Sequence, residues 1–172
     1  MYAHRASRSL GYSACAMPTT FLHGDLFNTA GVRAYAHGVT TTGAMDAGVA
    51  VAFKKRFPRM FDEYKARCED GRFSLGDVFV WSDGDLVVYN LGIQEHWKKK
   101  AKIPALSRAL AKMIASATAA GVTSIAMPRV GAGLGGLDWP RVKNILTELG
   151  ASTPVSLLVF EKFVRAADPD AP

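Results

Sequence analysis

Two glycine-rich segments carry the residue types best suited to holding an anion. One runs His37-Gly38-Val39-Thr40-Thr41-Thr42-Gly43-Ala44-Met45-Asp46-Ala47-Gly48-Val49-Ala50, and the other Met127-Pro128-Arg129-Val130-Gly131-Ala132-Gly133-Leu134-Gly135-Gly136-Leu137-Asp138-Trp139-Pro140. Glycine turns tightly and lets backbone N–H groups approach a ligand closely. A helix that starts just after such a turn adds about half a positive charge at its N-terminus. Asp138 suits an N-cap and Pro140 a first helical turn. Each loop also has a plainer reading. A glycine-rich stretch serves as a flexible connection, and Thr41 or Thr42 suits a simple helix cap. As a pair, two such loops can clamp a diphosphate from both sides. Neither contains GxxxxGK[ST], so a Walker-type site is excluded. No GxGxxG follows the first strand with an acid about 20 residues on, which argues against a dinucleotide-binding Rossmann site.

The periodicity supplies the elements that must position these loops. Short apolar runs predict strands at Thr19–His23, Val32–Val39, Asp77–Ser82, Leu86–Leu91, Val122–Met127 and Pro154–Phe160. The Asp83-Gly84 pair predicts a hairpin between the third and fourth of these. Helical spacing predicts helices at Gly43–Phe57, broken by Pro58, and at Met60–Glu69, Ile103–Ala120 and Trp139–Leu149, with Gly121 and Gly150 closing the last two. Alternating strands and helices with one hairpin predict a three-layer α/β/α sandwich around a mixed central sheet. In such sheets ligands gather at the carboxyl ends of the strands, where both loops fall.

The bulk numbers narrow the classes. The chain has 172 residues, 49% hydrophobic and 21% charged, which suits a single globular domain. No apolar run is long enough to span a membrane. The net charge of +6 and pI near 9.5 make a polyanionic partner plausible. Cys15 and Cys68 lack metal-ligand spacing, so no zinc site is expected and both thiols are expected free. Residues 1–17 lack a signal-peptide core and are expected to form a poorly packed extension. The expected domain is 18–165, followed by a tail at 166–172.

Taken in order, these pieces resemble a macrodomain, the ADP-ribose-binding α/β fold, from about Thr20 to Phe160. Gly24-Asp25-Leu26-Phe27 resembles the family's GDL/GDI motif after the first strand. Ala36-His37 through Pro58 resembles its first phosphate loop and helix. Asn90-Leu91 and His96-Trp97 resemble the strand and loop beside the distal ribose, and Met127-Pro128-Arg129 through Trp139 resembles the second phosphate loop. The likeness is greatest to the branch of the terminal ADP-ribose protein glycohydrolase and the antitoxin macrodomains that strip ADP-ribose from DNA. The resemblance implies that Asp25 accepts the adenine amino group, beside Leu26. It implies that Thr41, Thr42, Gly43, Ala47, Gly48 and Val49 from the first loop, with Gly131, Ala132, Gly133, Leu134, Gly135 and Gly136 from the second, hold ADP-ribose. The implied ligand or product is ADP-ribose itself, with no other cofactor and no metal.

Two departures bear on catalysis. Hydrolases of that branch attack the anomeric carbon with a lysine after the Asn-Leu strand, and Gln94 stands at the nearest position in this chain. The glycohydrolase also uses an aspartate in its second loop, where this chain has Gly135. Direct carry-over therefore does not support a covalent lysine mechanism. Asp46, where many relatives have glycine, becomes the leading catalytic candidate: a carboxylate facing the distal ribose could orient or deprotonate a water. The same residue also reads as an acid favoured by a helix dipole. His96 is a candidate general acid or a packed or solvated ring. Gln94 could help organise the water. Lys98, Lys99, Lys100 and Lys102 read as a solvated face or as a strip that steers a phosphate-rich substrate. Trp97 reads as a loop anchor or a stacking surface for a base, and His37 as mainly structural.

The expectation is a cytoplasmic, monomeric hydrolase of ADP-ribosyl linkages on protein or nucleic acid, without a membrane partner. The alternatives are a non-catalytic reader of ADP-ribose and an ADP-ribose phosphate phosphatase.

Overall fold

A computed structural model of the chain describes residues 16–163. Most of the expected N-terminal extension, the expected C-terminal tail and Cys15 lie outside those residues. Six strands, β1 (Thr20–Gly24), β2 (Ala34–Thr40), β3 (Val78–Asp83), β4 (Leu86–Gln94), β5 (Ser124–Pro128) and β6 (Ser156–Phe163), form one sheet in the order β1-β6-β5-β2-β4-β3. Four of its pairings are parallel, and only the β3–β4 hairpin is antiparallel. The sheet is therefore mixed, and its two faces carry separate apolar cores.

On one face lie α3 (Ile103–Ala119) and α4 (Trp139–Gly150). They bury Leu106, Leu110, Met113, Val142 and Leu146 against Leu91, Ile125 and Val159. On the other lie α1 (Val49–Arg56) and α2 (Pro58–Glu69), which bury Phe53, Met60 and Tyr64 against Tyr35, Val39 and Val88. This is the expected three-layer sandwich. Among the described residues no helix is long and apolar enough to cross a membrane.

Three local expectations need correction. The helix expected from Gly43 begins only at Val49. Gly43 and Gly48 sit at φ +80° and +62°, a backbone incompatible with helix, and the side chain of Met45 is buried between them. The second helix, expected from Met60, already opens at Pro58, a first-turn position where the missing N–H costs nothing, while α1 ends before that proline as expected. Gly150 is the last helical residue, not a left-handed cap. Its lack of a side chain is required by Thr19, whose Oγ1 would lie 2.1 Å from a Cβ there and whose hydroxyl donates to the Leu146 carbonyl.

Asp138 caps α4 as expected, its Oδ2 accepting the Arg141 N–H at 3.2 Å. Asp138→Ala should therefore cost about 1 kcal/mol of folding free energy, read as a lower urea midpoint with an unchanged slope.

Candidate functional site

At the carboxyl ends of β2, β4, β5 and β6 the two loops enclose a cavity of about 790 Å³. That size holds a ligand of several dozen atoms. Each wall is built by identifiable contacts. The first loop leaves β2 at Thr40, whose carbonyl accepts the Tyr64 hydroxyl at 2.7 Å. Burial pushes the Tyr64 phenol well above its ordinary range, so it stays a neutral donor. The Thr41 N–H donates to the Gln94 carbonyl at 2.9 Å, and Gly43 packs against Lys65 and Cys68 of α2. The chain then crosses the cavity and enters α1 at Gly48, with no side chain capping the helix. Asp46, Ala47, Gly48, Val49 and Ala50 line the cavity, so the first turn of α1 presents its positive end there.

The second loop folds on itself. The Ala132 N–H donates to Arg129 O, Gly136 N–H to Gly133 O and Leu137 N–H to Gly131 O. None of the hydrogen bonds within the loop uses the N–H groups of Gly133, Leu134 or Gly135, and all three residues line the cavity. Three consecutive amides left out of the loop's own bonds can receive an anion. Gly135 admits no side chain without movement, since a Cβ would meet the Gly131 carbonyl oxygen at 2.6 Å and Ala101 at 3.1 Å. The loops touch across the cavity, where a Cβ on Gly48 would come 3.2 Å from the side chain of Leu134.

The groups able to do chemistry sit unevenly around this cradle. Gln94, at the end of β4, is 9% exposed and lines the cavity, with its Nε2 donating to the Lys99 carbonyl. Asp46 lies on the rim, 73% of its side chain exposed, and Lys54 Nζ donates to its Oδ1 at 3.0 Å. His96 is outside the cavity lining. Its Nδ1 accepts the Lys98 N–H at 3.1 Å and its ring stacks by Trp97, so it shapes a turn rather than facing the space where a ligand would sit. Trp97 does line the cavity.

Of the expected ligand-binding residues, Ala47, Gly48, Val49, Gly131, Gly133, Leu134 and Gly135 come together around the cavity. Thr41, Thr42 and Gly43 do not line it. They form the outer turn, with Thr41 Oγ1 donating to the Glu95 carbonyl and Thr42 Oγ1 paired with Thr40 Oγ1, and neither threonine caps a helix. Ala132 and Gly136 also stand back, their amides spent on the loop's own bonds. Asp25 lies away from the cavity lining and caps a short 3-10 turn by accepting the Phe27 N–H at 2.9 Å. Leu26 is fully buried, so its side chain belongs to the core rather than to a ligand.

Sequence reading missed Phe160 and Glu161 of β6, which line the cavity beside Pro128 and Arg129. The rule that ligands gather at strand carboxyl ends, applied to the last strand, would have found them. Glu161 accepts from Lys143 Nζ and Trp139 Nε1, both at 2.9 Å, and those bonds, the lysine's first, hold its carboxyl below the usual range.

A sequence model of the Macro domain matches residues 36–146. The DNA ADP-ribosyl glycohydrolase of Thermus aquaticus is 35% identical over 146 residues, covering 82% of this chain and 40% of that protein. The chain thus spans about two-fifths of the length of that relative. The human ADP-ribose glycohydrolase OARD1 is 28% identical, covering 82% of this chain and 90% of the relative. Among solved structures, the macrodomain of Thermus aquaticus DarG superposes with a TM-score of 0.75 at 32% identity, covering 82% of this chain and 96% of that one.

Proposed function

The chain belongs to the Macro domain family, and from that premise we propose that it binds ADP-ribose and hydrolyses ADP-ribosyl linkages on protein or nucleic acid. The observation that carries the reading is the meeting of two amide-lined loops over one cavity at the carboxyl ends of the strands. In this reading the amides of Gly133, Leu134 and Gly135 on one side and the first turn of α1 on the other share a diphosphate. The distal ribose would then lie towards Asp46 and Gln94.

In the proposed step a water oxygen attacks the anomeric carbon, the bond from that carbon to the modified target breaks, and the leaving atom takes up a proton. The Asp46 carboxylate orients the water and accepts its proton. Lys54 fixes Asp46, and the Gln94 side chain, held by the Lys99 carbonyl, contributes a polar group at the cavity floor. Gln94 has no amine with which to form a covalent bond to the sugar, so the route differs from the lysine-based one. We place the protein in the cytoplasm as a monomer that needs no further cofactor or metal.

A second reading, a reader that binds ADP-ribose without chemistry, is favoured by Gln94 in place of the lysine. Incubation with mono-ADP-ribosylated protein and with ADP-ribosylated DNA separates the two. Free ADP-ribose from either supports the hydrolase, whereas no release from both, with saturable ADP-ribose binding, leaves the reader.

The second loop offers its own test. In Gly135→Ala the new methyl must displace the Gly131 carbonyl and turn the neighbouring amides. Losing one charge-assisted hydrogen bond to a phosphate weakens ADP-ribose binding by about tenfold or more, beside a folding cost of about 1–3 kcal/mol from the forced shift. Calorimetric affinity equal to wild type would mean that these amides do not hold the ligand.

A further inference from the structure

One feature of the cavity rim is not used by the diphosphate or by the hydrolytic step. Trp97 stands 68% exposed at the cavity mouth, an unusual place for a large aromatic ring. Its backbone is nonetheless firmly held. The Lys99 N–H donates to the His96 carbonyl, Lys98 N–H to His96 Nδ1, and Lys102 N–H to the Ile93 carbonyl, closing a tight turn with the indole on its outer side. The His96 ring stacks by it at 5.7 Å and 23°, and Lys98 Nζ lies 5.1 Å from the indole.

The charge around the ring has one sign. Lys99 and Lys102 share the single carboxylate of Glu95, and their hydrogen bonds hold it ionised, down to about 2. Lys98 and Lys100 have no ion pair among the described residues, and Lys100 runs beside Gly136 of the second loop. Four lysines against one glutamate leave segment 95–102 at +3. The segment thus combines an exposed flat ring with a cluster of cations at the exit of the cavity. Stacking on an aromatic face together with neutralised phosphates is the chemistry by which single-stranded nucleic acid is bound. An acidic peptide would meet the lysines but would gain nothing specific from the indole.

We propose that segment 95–102 is a contact site for single-stranded nucleic acid, with a base stacked on Trp97 and the strand's phosphates facing Lys98 and Lys100. This rests on the hydrolase reading for its purpose, since it makes nucleic acid the carrier of the ADP-ribosyl group, but its test is independent of ADP-ribose. Anisotropy of a labelled, unmodified 12-nucleotide single-stranded DNA is measured over a range of salt concentrations. Wild type binds at low salt, with affinity falling as salt rises. Trp97→Ala binds at least fivefold more weakly at fixed salt with the same salt dependence and the same melting temperature, and Trp97→Phe recovers most of the loss. Lys98→Ala with Lys100→Ala lowers the logarithmic salt slope by about two and leaves calorimetric ADP-ribose binding as in wild type. Absence of oligonucleotide binding at low salt, or Trp97→Ala binding like wild type, overturns the proposal. So does an acidic peptide that binds as tightly as the oligonucleotide, which would assign the surface to a protein. Oligonucleotide binding that persists while ADP-ribose fails to bind would uphold this site and remove the hydrolase reading.

Discussion

Asp46→Ala should lower the rate of ADP-ribose release by about 10²–10⁴-fold, the range for loss of a positioned general base, while leaving ADP-ribose affinity within a few-fold of wild type. The expectation follows from where the carboxylate sits. Asp46 is on the cavity rim in the loop that crosses towards α1, and its carboxylate pairs with the Lys54 ammonium at 3.0 Å. That pair is exposed, so it adds little to stability, and removing it should not unfold the loop, which is anchored by the buried Met45 and by Gly48. In the proposed binding mode the diphosphate is held by backbone amides on either side, which the substitution does not touch. Asp46→Asn separates the two remaining roles. If the carboxylate deprotonates the water, Asn is as slow as Ala; if it only positions the water, Asn recovers much of the rate. Single-turnover release from a homogeneous ADP-ribosylated substrate is the measurement. Unchanged turnover in Asp46→Ala would remove the residue from the mechanism.

The second large effect is on stability and concerns His37. This ring is fully buried in β2, stacked on Phe53 at 3.8 Å with 3° between planes, and its Nε2–H donates to Asn90 Oδ1 at 2.8 Å. Asn90 is oriented for this by its own Nδ2, which donates to the Phe79 carbonyl. The other ring nitrogen, Nδ1, is buried without a partner among the described residues. A second proton would have to sit there in an apolar pocket, so burial pushes the imidazole down from 6.5 to about 4, only partly opposed by the Asn90 bond. The sign follows from linkage. Above pH 6.5 the ring is neutral in both states and its full contribution is present. As pH falls towards 4 the unfolded chain takes up a proton that the native state refuses. Wild type should lose about 2 kcal/mol between pH 7 and pH 5, and about 3 kcal/mol by pH 4. His37→Gln should be less stable at pH 7 yet nearly flat between pH 7 and pH 5. Urea midpoints across that window give the answer; parallel curves for the two proteins would mean that another group sets the acid limit.

Much of the scaffold was legible because periodicity and punctuation agreed. In α4, Val142, Ile145, Leu146 and Leu149 recur at helical spacing behind a capping Asp138, and the helix runs almost as read. The Asp83-Gly84 turn likewise fixed the β3–β4 hairpin, with Asp83 paired to Leu86 across it. The errors arose where tertiary contact outranked local pattern. Val49, Phe53 and Phe57 set a helical period whose backward extension to Gly43 looked natural, but two left-handed glycines and the buried Met45 hold that stretch as a loop. Gly150 looked like a cap because close approach by Thr19 leaves no trace in local sequence.

In the site, the glycines of both loops could be read as a cradle, and Gly48, Gly133 and Gly135 do line one cavity. Which members of each loop face inward could not be read, because that depends on how the turns spend their own hydrogen bonds. Ala132 and Gly136 give theirs to the loop, while Gly133 and Gly135 do not. Candidate side chains were harder still. His96 follows Gln94 by two residues, yet a turn bond to the Lys98 N–H takes its ring out of the cavity wall.

The central claim is that two amide-lined loops receive one pyrophosphate. Calorimetric titration of the full chain with ADP-ribose tests it most directly. The account predicts saturable one-to-one binding and a melting temperature that climbs with ligand concentration. No heat of binding and an unmoved melting temperature at millimolar ADP-ribose would contradict it.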